Sequence, residues 1–241
     1  MVIELVADAE EMAEAVEVFD AVWGSATPVI TVELLVAIAH GGGYVAVARE
    51  SGSGTRPGCA VGASVGFLAR HEGQPALHSH VTGLIPSARG TGLGRAIKLH
   101  QREWARANGV QQIVWTFDPL VRRNAWFNIA VLGADVREYL PSFYGAMTDV
   151  INAGDESDRL LVAWNVRQPV LDTPRDGRGA ADSRAVLVPT PDDIVELRRT
   201  DDAAVARWRA ATRTALTDAL TAGRPIVGFT RAGEYVIGSA P

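Results

Sequence analysis

The chain has one cysteine and one lysine in 241 residues. A single thiol, Cys59, excludes an internal disulfide and any zinc site built from cysteines, which fits a reducing compartment. Its apolar surroundings mark it as a small core residue of a strand. Lys98 is the only lysine among 23 basic residues, so arginine has replaced lysine throughout and an individual arginine says little about function. The net charge of −5 leaves no basic surplus for nucleic acid or an anionic membrane. No apolar run reaches the roughly 20 residues that a membrane span needs. The first residues, Met1-Val-Ile-Glu-Leu-Val-Ala-Asp-Ala-Glu-Glu11, are acidic and lack a signal-peptide core, so a cytoplasmic protein is expected.

What is present is an ordinary globular composition, 47% hydrophobic and 21% charged, sized for one large domain or a domain with an extension. Apolar periodicity predicts a strand over 2–7 and a helix from Asp8 or Ala9 to about Trp23, with Met12, Val16, Phe19 and Val22/Trp23 on one face. A second helix, 31–40, is stopped by Gly41-Gly42-Gly43. Strands follow over 44–49 and 60–70, joined by a Ser/Gly/Pro turn, and over 77–84. A helix over 92–107 closes at Asn108-Gly109. A buried strand (112–117), a helix (122–132, ending at Gly133) and strands over 136–140 and 160–166 complete the order βααβββαβαββ. Residues 167–184 are rich in Pro, Gly, Asp and Arg and read as a linker. Beyond them lie a strand over 185–188, a helix over 201–221 and a hairpin over 226–237.

The densest signal is the run from Leu77 to Ile97. An alternating strand reaches Pro86, then a turn, Arg89-Gly-Thr-Gly-Leu-Gly94, opens an amphipathic helix. Helix N-termini carry unpaired N–H groups and partial positive charge, so such a turn suits an anion, most often a phosphate. Glycines let the backbone approach closely, and Arg89 adds a fixed cation. A P-loop would need Gly-Lys-Ser/Thr, but Gly94 is followed by Arg95-Ala96. A dinucleotide fingerprint would need G-x-G-x-x-G in a first βα turn, whereas the glycines stand at 90, 92 and 94 in mid-chain. The bland alternative is a turn that only joins strand to helix.

Arg89, Gly92 and Gly94 fill the pattern Arg/Gln-x-x-Gly-x-Gly/Ala, with Leu84-Ile85-Pro86 just upstream. This resembles the pyrophosphate loop of the GNAT acyltransferases, and the element order over about residues 1–168 is similar to the GNAT core. The resemblance implies an α/β (α+β) fold with a mixed central sheet flanked by helices. Residues 169–184 would be a linker. Residues 185–241 would form a small α/β extension, which the usual core lacks, packing on the core or mediating self-association. It implies acetyl-CoA or another acyl-CoA as cofactor. Leu84 and Ile85 match the pantetheine-pairing positions, with the backbone near Leu84 at the oxyanion. Arg89, Gly90, Thr91, Gly92, Leu93 and Gly94 match the pyrophosphate cradle, with Arg95 assisting. Asn124 matches an asparagine that contacts the CoA arm, and reads equally well as a helix N-cap.

Acyl transfer to an amine needs a proton acceptor, and His78 falls where many GNAT enzymes place a glutamate base. Strict alternation puts His78, His80 and Thr82 on one strand face, and either histidine titrates in a suitable range. The competing reading is a pair of half-buried structural histidines. His-x-His also supplies two metal ligands, but no third lies nearby, so no metal is expected. One position departs from the family: aligning Asn124 and Gly133 puts Ile129 where a tyrosine commonly protonates the leaving thiolate. Tyr144 or Tyr139 would have to replace it. Asp118, before Pro119, is either an acceptor-binding carboxylate or a turn residue. The expected activity is transfer of an acyl group from acyl-CoA to a primary amine of a small molecule or amino acid, with a homodimer and no nucleic acid or membrane partner. The alternatives are a non-catalytic CoA-binding module and a self-associating scaffold.

Overall fold

The computed structural model describes residues 1–24, 28–51, 58–145, 155–180 and 184–239. It divides into two compact units, Met1–Val114 and Trp115–Pro241, with the division inside one strand.

In the first unit, β1 (Val2–Leu5), β2 (Tyr44–Arg49), β3 (Ala60–His71) and β4 (Gln74–Leu84) pair antiparallel in that order. The start of β5 (Gln112–Phe117) joins β4 in parallel, so the sheet is mixed. The helix α1 (Ala9–Trp23) is capped by Asp8, whose carboxylate accepts the Glu11 N–H at 2.8 Å, and α2 (Val32–His40) is capped by Thr31. Met12, Ala15, Val18 and Phe19 of α1 and Leu35 of α2 pack with Val45, Val47, Val65 and Val81 of the sheet. At Gly83 the α1 side chains come close over β4: a Cβ there would stand 2.9 Å from the Trp23 ring. The helix α3 (Leu93–Ala107) packs on Ala48 and Val61 through Leu93 and Ile97. Cys59 is exposed, one residue ahead of β3, and not in the core as its neighbours suggested.

Alternation along β4 is broken. Val65 pairs with Val81 but the next residue, Gly66, pairs with Ser79, leaving His80 as an extra residue. A bulge of this kind shifts the two-residue period by one. Thr82 therefore leaves the face of His78 and His80 and bonds Ser64 at 2.8 Å beneath α3, contrary to the expectation of strict alternation.

The second unit holds the rest of β5, α4 (Arg122–Ala125), a π-helical stretch Trp126–Val131, and the antiparallel pair β6 (Asp135–Leu140) and β7 (Arg159–Asn165). The helix read over 122–132 is thus two pieces of different winding. A separate sheet orders β8 (Val186–Pro189), β10 (Glu234–Ile237) and β9 (Ile226–Phe229). Between β8 and β9 lie α5 (Ile194–Thr200), which periodicity missed, and α6 (Asp202–Thr221). Within 169–184, a 3-10 turn at Gly177–Ala180 seats Gly177 against β9, where a Cβ would meet the Phe229 nitrogen at 2.7 Å.

The helices α5 and α6 are anchored electrostatically. Arg209 of α6 grips both Asp118 oxygens, at 2.9 and 3.1 Å, and Asp155 at 2.5 Å. Arg198 of α5 bonds the same two aspartates. All four side chains are at least 94% buried, so the charges balance inside the protein. Leu120 and Val121 pack with Ile194 and Val205 beside them. Removing one member strands the others, which typically costs about 3–5 kcal/mol. Arg209→Met should lower stability by that amount in urea unfolding. Arg199→Ala, which breaks only an exposed pair with Glu196, should change it by less than about 0.5 kcal/mol.

Candidate functional site

The first unit gathers the glycine turn, β4 and α3. Residues Pro86–Ala88 form a 3-10 turn, and Gly90 and Gly92 adopt φ of +76° and +87°. Gly92 is the N-cap of α3 and offers no side chain to its amides. The Thr91 hydroxyl donates to Ala88 O at 2.8 Å and accepts a long 3.4 Å bond from Leu93 N–H. No partner for the Gly94 amide stands among the described residues, and a Cβ at Gly90 or Gly92 would meet nothing within 4 Å. The turn is open, left-handed where only glycine sits without strain, and lined with donors. Arg89 is exposed at its edge, and its Nε donates to Leu84 O at 3.3 Å. Arg95 stands half-buried in the first turn of α3.

Among the described residues, β4 pairs with β5 over only part of its length. Their parallel register covers Ala76–His78 against Gln112–Val114, while β4 continues to Leu84 with β3 paired along its other side. Ile85 is committed in part, since its N–H donates to Val61 O at 3.0 Å.

His78 and His80 share a face with Phe67 of β3. Phe67 stacks on His78 with centroids 4.9 Å apart and planes 16° from parallel. The two imidazoles stand 6.1 Å apart. Burial, then His80, then Lys98 push the His78 imidazole down to about 4, and burial also lowers His80. Both are therefore neutral at pH 7 and able to accept a proton.

Across the sheet lies a buried polar layer that sequence reading missed. The Lys98 Nζ donates to Ser79 Oγ at 2.7 Å and to Gln101 Oε1 at 3.3 Å. Gln101 reaches Ser64 Oγ at 3.4 Å, and Ser64 bonds Thr82. The available signal was helical spacing: Gln101 lies on the stripe Leu93, Ile97, Ala105, with the chain's one lysine beside it.

The predicted residues of the second unit fare differently. Asn124 is exposed within α4 and is not its N-cap, which is Val121. Asp118 is buried: burial alone would raise its carboxyl, but Arg209 and Arg198 hold it low, and one oxygen also accepts Leu120 N–H at 2.9 Å. With both oxygens taken by interior partners it does not face an acceptor, and the turn reading describes it better. Tyr139 is buried and donates to Asp158 at 2.5 Å, its phenol pushed up by burial and by that carboxylate. Tyr144 is exposed, 3.3 Å from Thr116 Oγ1, with the Arg159 guanidinium 5.2 Å from its ring centre. Ile129 is buried in the π-helical stretch. Among the described residues no cluster of His, Cys, Asp or Glu could hold a metal ion, and no helix is long and apolar enough to cross a membrane.

Comparison with known proteins gives the architecture a name. A phosphinothricin acetyltransferase of the GNAT superfamily from Sinorhizobium meliloti, solved with acetyl-CoA, superposes with a TM-score of 0.53 at 17% identity, covering 73% of this chain and 94% of that one. The chain has the GNAT fold. The yncA structure from Salmonella typhimurium, with its cofactor acetyl-CoA, matches with a TM-score of 0.54 at 18% identity, over 71% of this chain and 96% of that one. The ribosomal-protein-S18-alanine N-acetyltransferase from Escherichia coli gives 0.53 at 12% identity, over 71% and 97%. No family model and no curated protein sequence matches the chain.

Burial depresses Lys98 from 10.5 to about 7. Between those values the unfolded chain holds a proton that the folded protein does not. Stability should therefore rise as pH increases from 7 toward 10.5, by on the order of a few kcal/mol. Urea midpoints recorded against pH should show this slope, and Lys98→Met should flatten it.

Proposed function

We propose that this GNAT-fold protein transfers an acyl group from acetyl-CoA, or a related acyl-CoA, to a primary amine of a small molecule or amino acid. The observation that carries the reading is the open turn at residues 89–95. Two left-handed glycines, an uncapped helix start with the Gly94 amide available, and exposed Arg89 together suit a diphosphate. The edge of β4 toward Leu84, beyond its pairing with β5 among the described residues, suits an extended amide-bearing arm. Bound acyl-CoA would supply the activated thioester. The chain's own part is to hold it, exclude alternatives and remove a proton. His78, or His80 beside it, accepts that proton from the ammonium of the acceptor, directly or through water, being neutral at physiological pH.

Small-molecule acceptors are favoured by the modest net charge and by the phosphinothricin acetyltransferase among the structural neighbours, although an N-acetyltransferase of a ribosomal protein is another. Tyr144, the exposed tyrosine of the second unit, is the proposed proton donor to the leaving thiolate. Self-association through the extension belongs to the same proposal, supported by Val186, Leu187 and Val227 lying exposed on its sheet. A cytoplasmic setting fits the lone thiol. A second reading, a CoA-binding module without transfer, is favoured by Ile129, which cannot donate a proton.

Thermal denaturation with CoA, acetyl-CoA and longer acyl-CoAs tests the reading. A ligand at a hundred times its Kd should add about 2.7 kcal/mol of stability to the wild type. Gly92→Asp puts a carboxylate into the turn at a φ that strains any side chain, so unliganded melting should fall by the few degrees that about 1–3 kcal/mol of strain brings, and the further shift on adding CoA species should vanish. Retention of the shift would refute the turn as the cofactor site. Steady CoA release with an amine panel separates transferase from sensor, and His78→Gln, His80→Gln and Tyr144→Phe should each lower kcat if the assigned roles hold.

A further inference from the structure

Lys98 is the chain's only lysine, it is buried, and it lies under the strand that bears the proposed base. Its ammonium bonds Ser79, which stands between His78 and His80 in sequence and on the opposite face of β4. Ser79 pairs with Gly66 at the step where His80 is left over, so the bond falls on the bulge itself. Gln101, itself fully buried, ties the same ammonium to Ser64 and, through it, to Thr82 on the far side of the bulge. A strand that changes parity must be held in register from one side, and Lys98 with Gln101 spans the residues on either side of the change.

We propose that Lys98 is a positioning residue: pinned on Ser79, it fixes β4 at the His80 bulge from the α3 side and sets its charge behind the imidazole of His78 on the other face. The inference rests on the reading of His78 as proton acceptor.

Burial acts on His78 most, His80 next and Lys98 third, and Lys98 is the one of these that lies across the strand. From β3 His78 meets the Phe67 ring, with Arg70 turned to Gly73 O and His71 at the strand's end. From α1, Phe19 and Trp23 approach β4, and Glu14 is engaged by Arg49 of β2. Gln112 of β5 bonds the backbone of His71, and Tyr44 of β2 bonds His100 of α3. The acidic Glu33 and the His40 of α2 are exposed and α2 packs on β2 and β3. A positive charge beside a half-buried imidazole disfavours a second one, so loss of the Lys98 proton must be felt at His78.

Because there is one lysine, labelling lysine Cε yields a single resonance, and the full chain can be titrated by NMR with histidine signals read in parallel. In the wild type, Lys98 should titrate near 7, and His78 should show a second, smaller inflection at the same pH. In Lys98→Met, the main His78 midpoint should rise from about 4 by roughly half a pH unit or more. Lys98→Arg should keep that midpoint low while removing the inflection near 7, since arginine stays charged. A His78 titration unchanged in both variants and lacking the wild-type inflection would overturn the proposal, even if activity fell. If Lys98→Met does not fold, the wild-type inflection decides by its presence or absence. If the His78 midpoint moves while the acid limb of the acyl-transfer pH profile stays, the role of His78 as base fails and the hold of Lys98 on the imidazole stands.

Discussion

The extra residue at His80 is the constraint on which the first unit turns, because β4 serves three layers at once. It pairs with β3 along its length, meets β5 over only three residues, and runs directly into the glycine turn. With one residue more than β3 can match, β4 turns over between Ser79 and Thr82. Ser79 and Thr82 then both lie under α3, where Lys98 and Gln101 need partners, and His78 and His80 are left together on the other face. Without the bulge, either Ser79 or Thr82 would face away from α3, and a buried polar group left without its partner costs about 1–3 kcal/mol.

The same layer explains why a helix with so little apolar surface can be held on the sheet. Gln101 and Lys98 are buried on α3, and burying an ammonium is costly in proportion to its depressed affinity for a proton. Such groups are tolerated when hydrogen-bonded, and their directional bonds set the helix in one register over β3 and β4. That register orients the start of α3, hence the amides of the turn at Gly92. Site geometry and interior polarity are in this sense one feature.

In the second unit, charge does comparable work at lower risk of imbalance. Two aspartates and two arginines from distant parts of the sequence neutralise each other, and Tyr235 donates to Pro119 O at 2.7 Å beside them. Asp118 closes the turn after β5, so α5 and α6 are built onto that turn and its carboxylate is consumed in doing so. A polar residue at a strand end, which by itself suggests chemistry, is here a fastening.

The legible part of the chain was local. The helix starts near Asp8 and Thr31, the glycine stop after α2, the pairing of β2 with β3 and the uncapped turn at 89–95 depend on neighbours close in sequence, and their backbone preferences decide them. The seven residues of α5 were too short to show a period, and the π-helical stretch after Ala125 has no composition of its own. The bulge, the burial of Lys98, the face of Thr82 and the fate of Asp118 depend on residues 13 to 91 positions away. The amino-acid sequence by itself determined where the chain turns, which segments wind or extend, and where an anion could be held. Only the tertiary structure decided which polar side chains are spent inside and which are left for chemistry, because that depends on pairing register and on partners that no local pattern encodes.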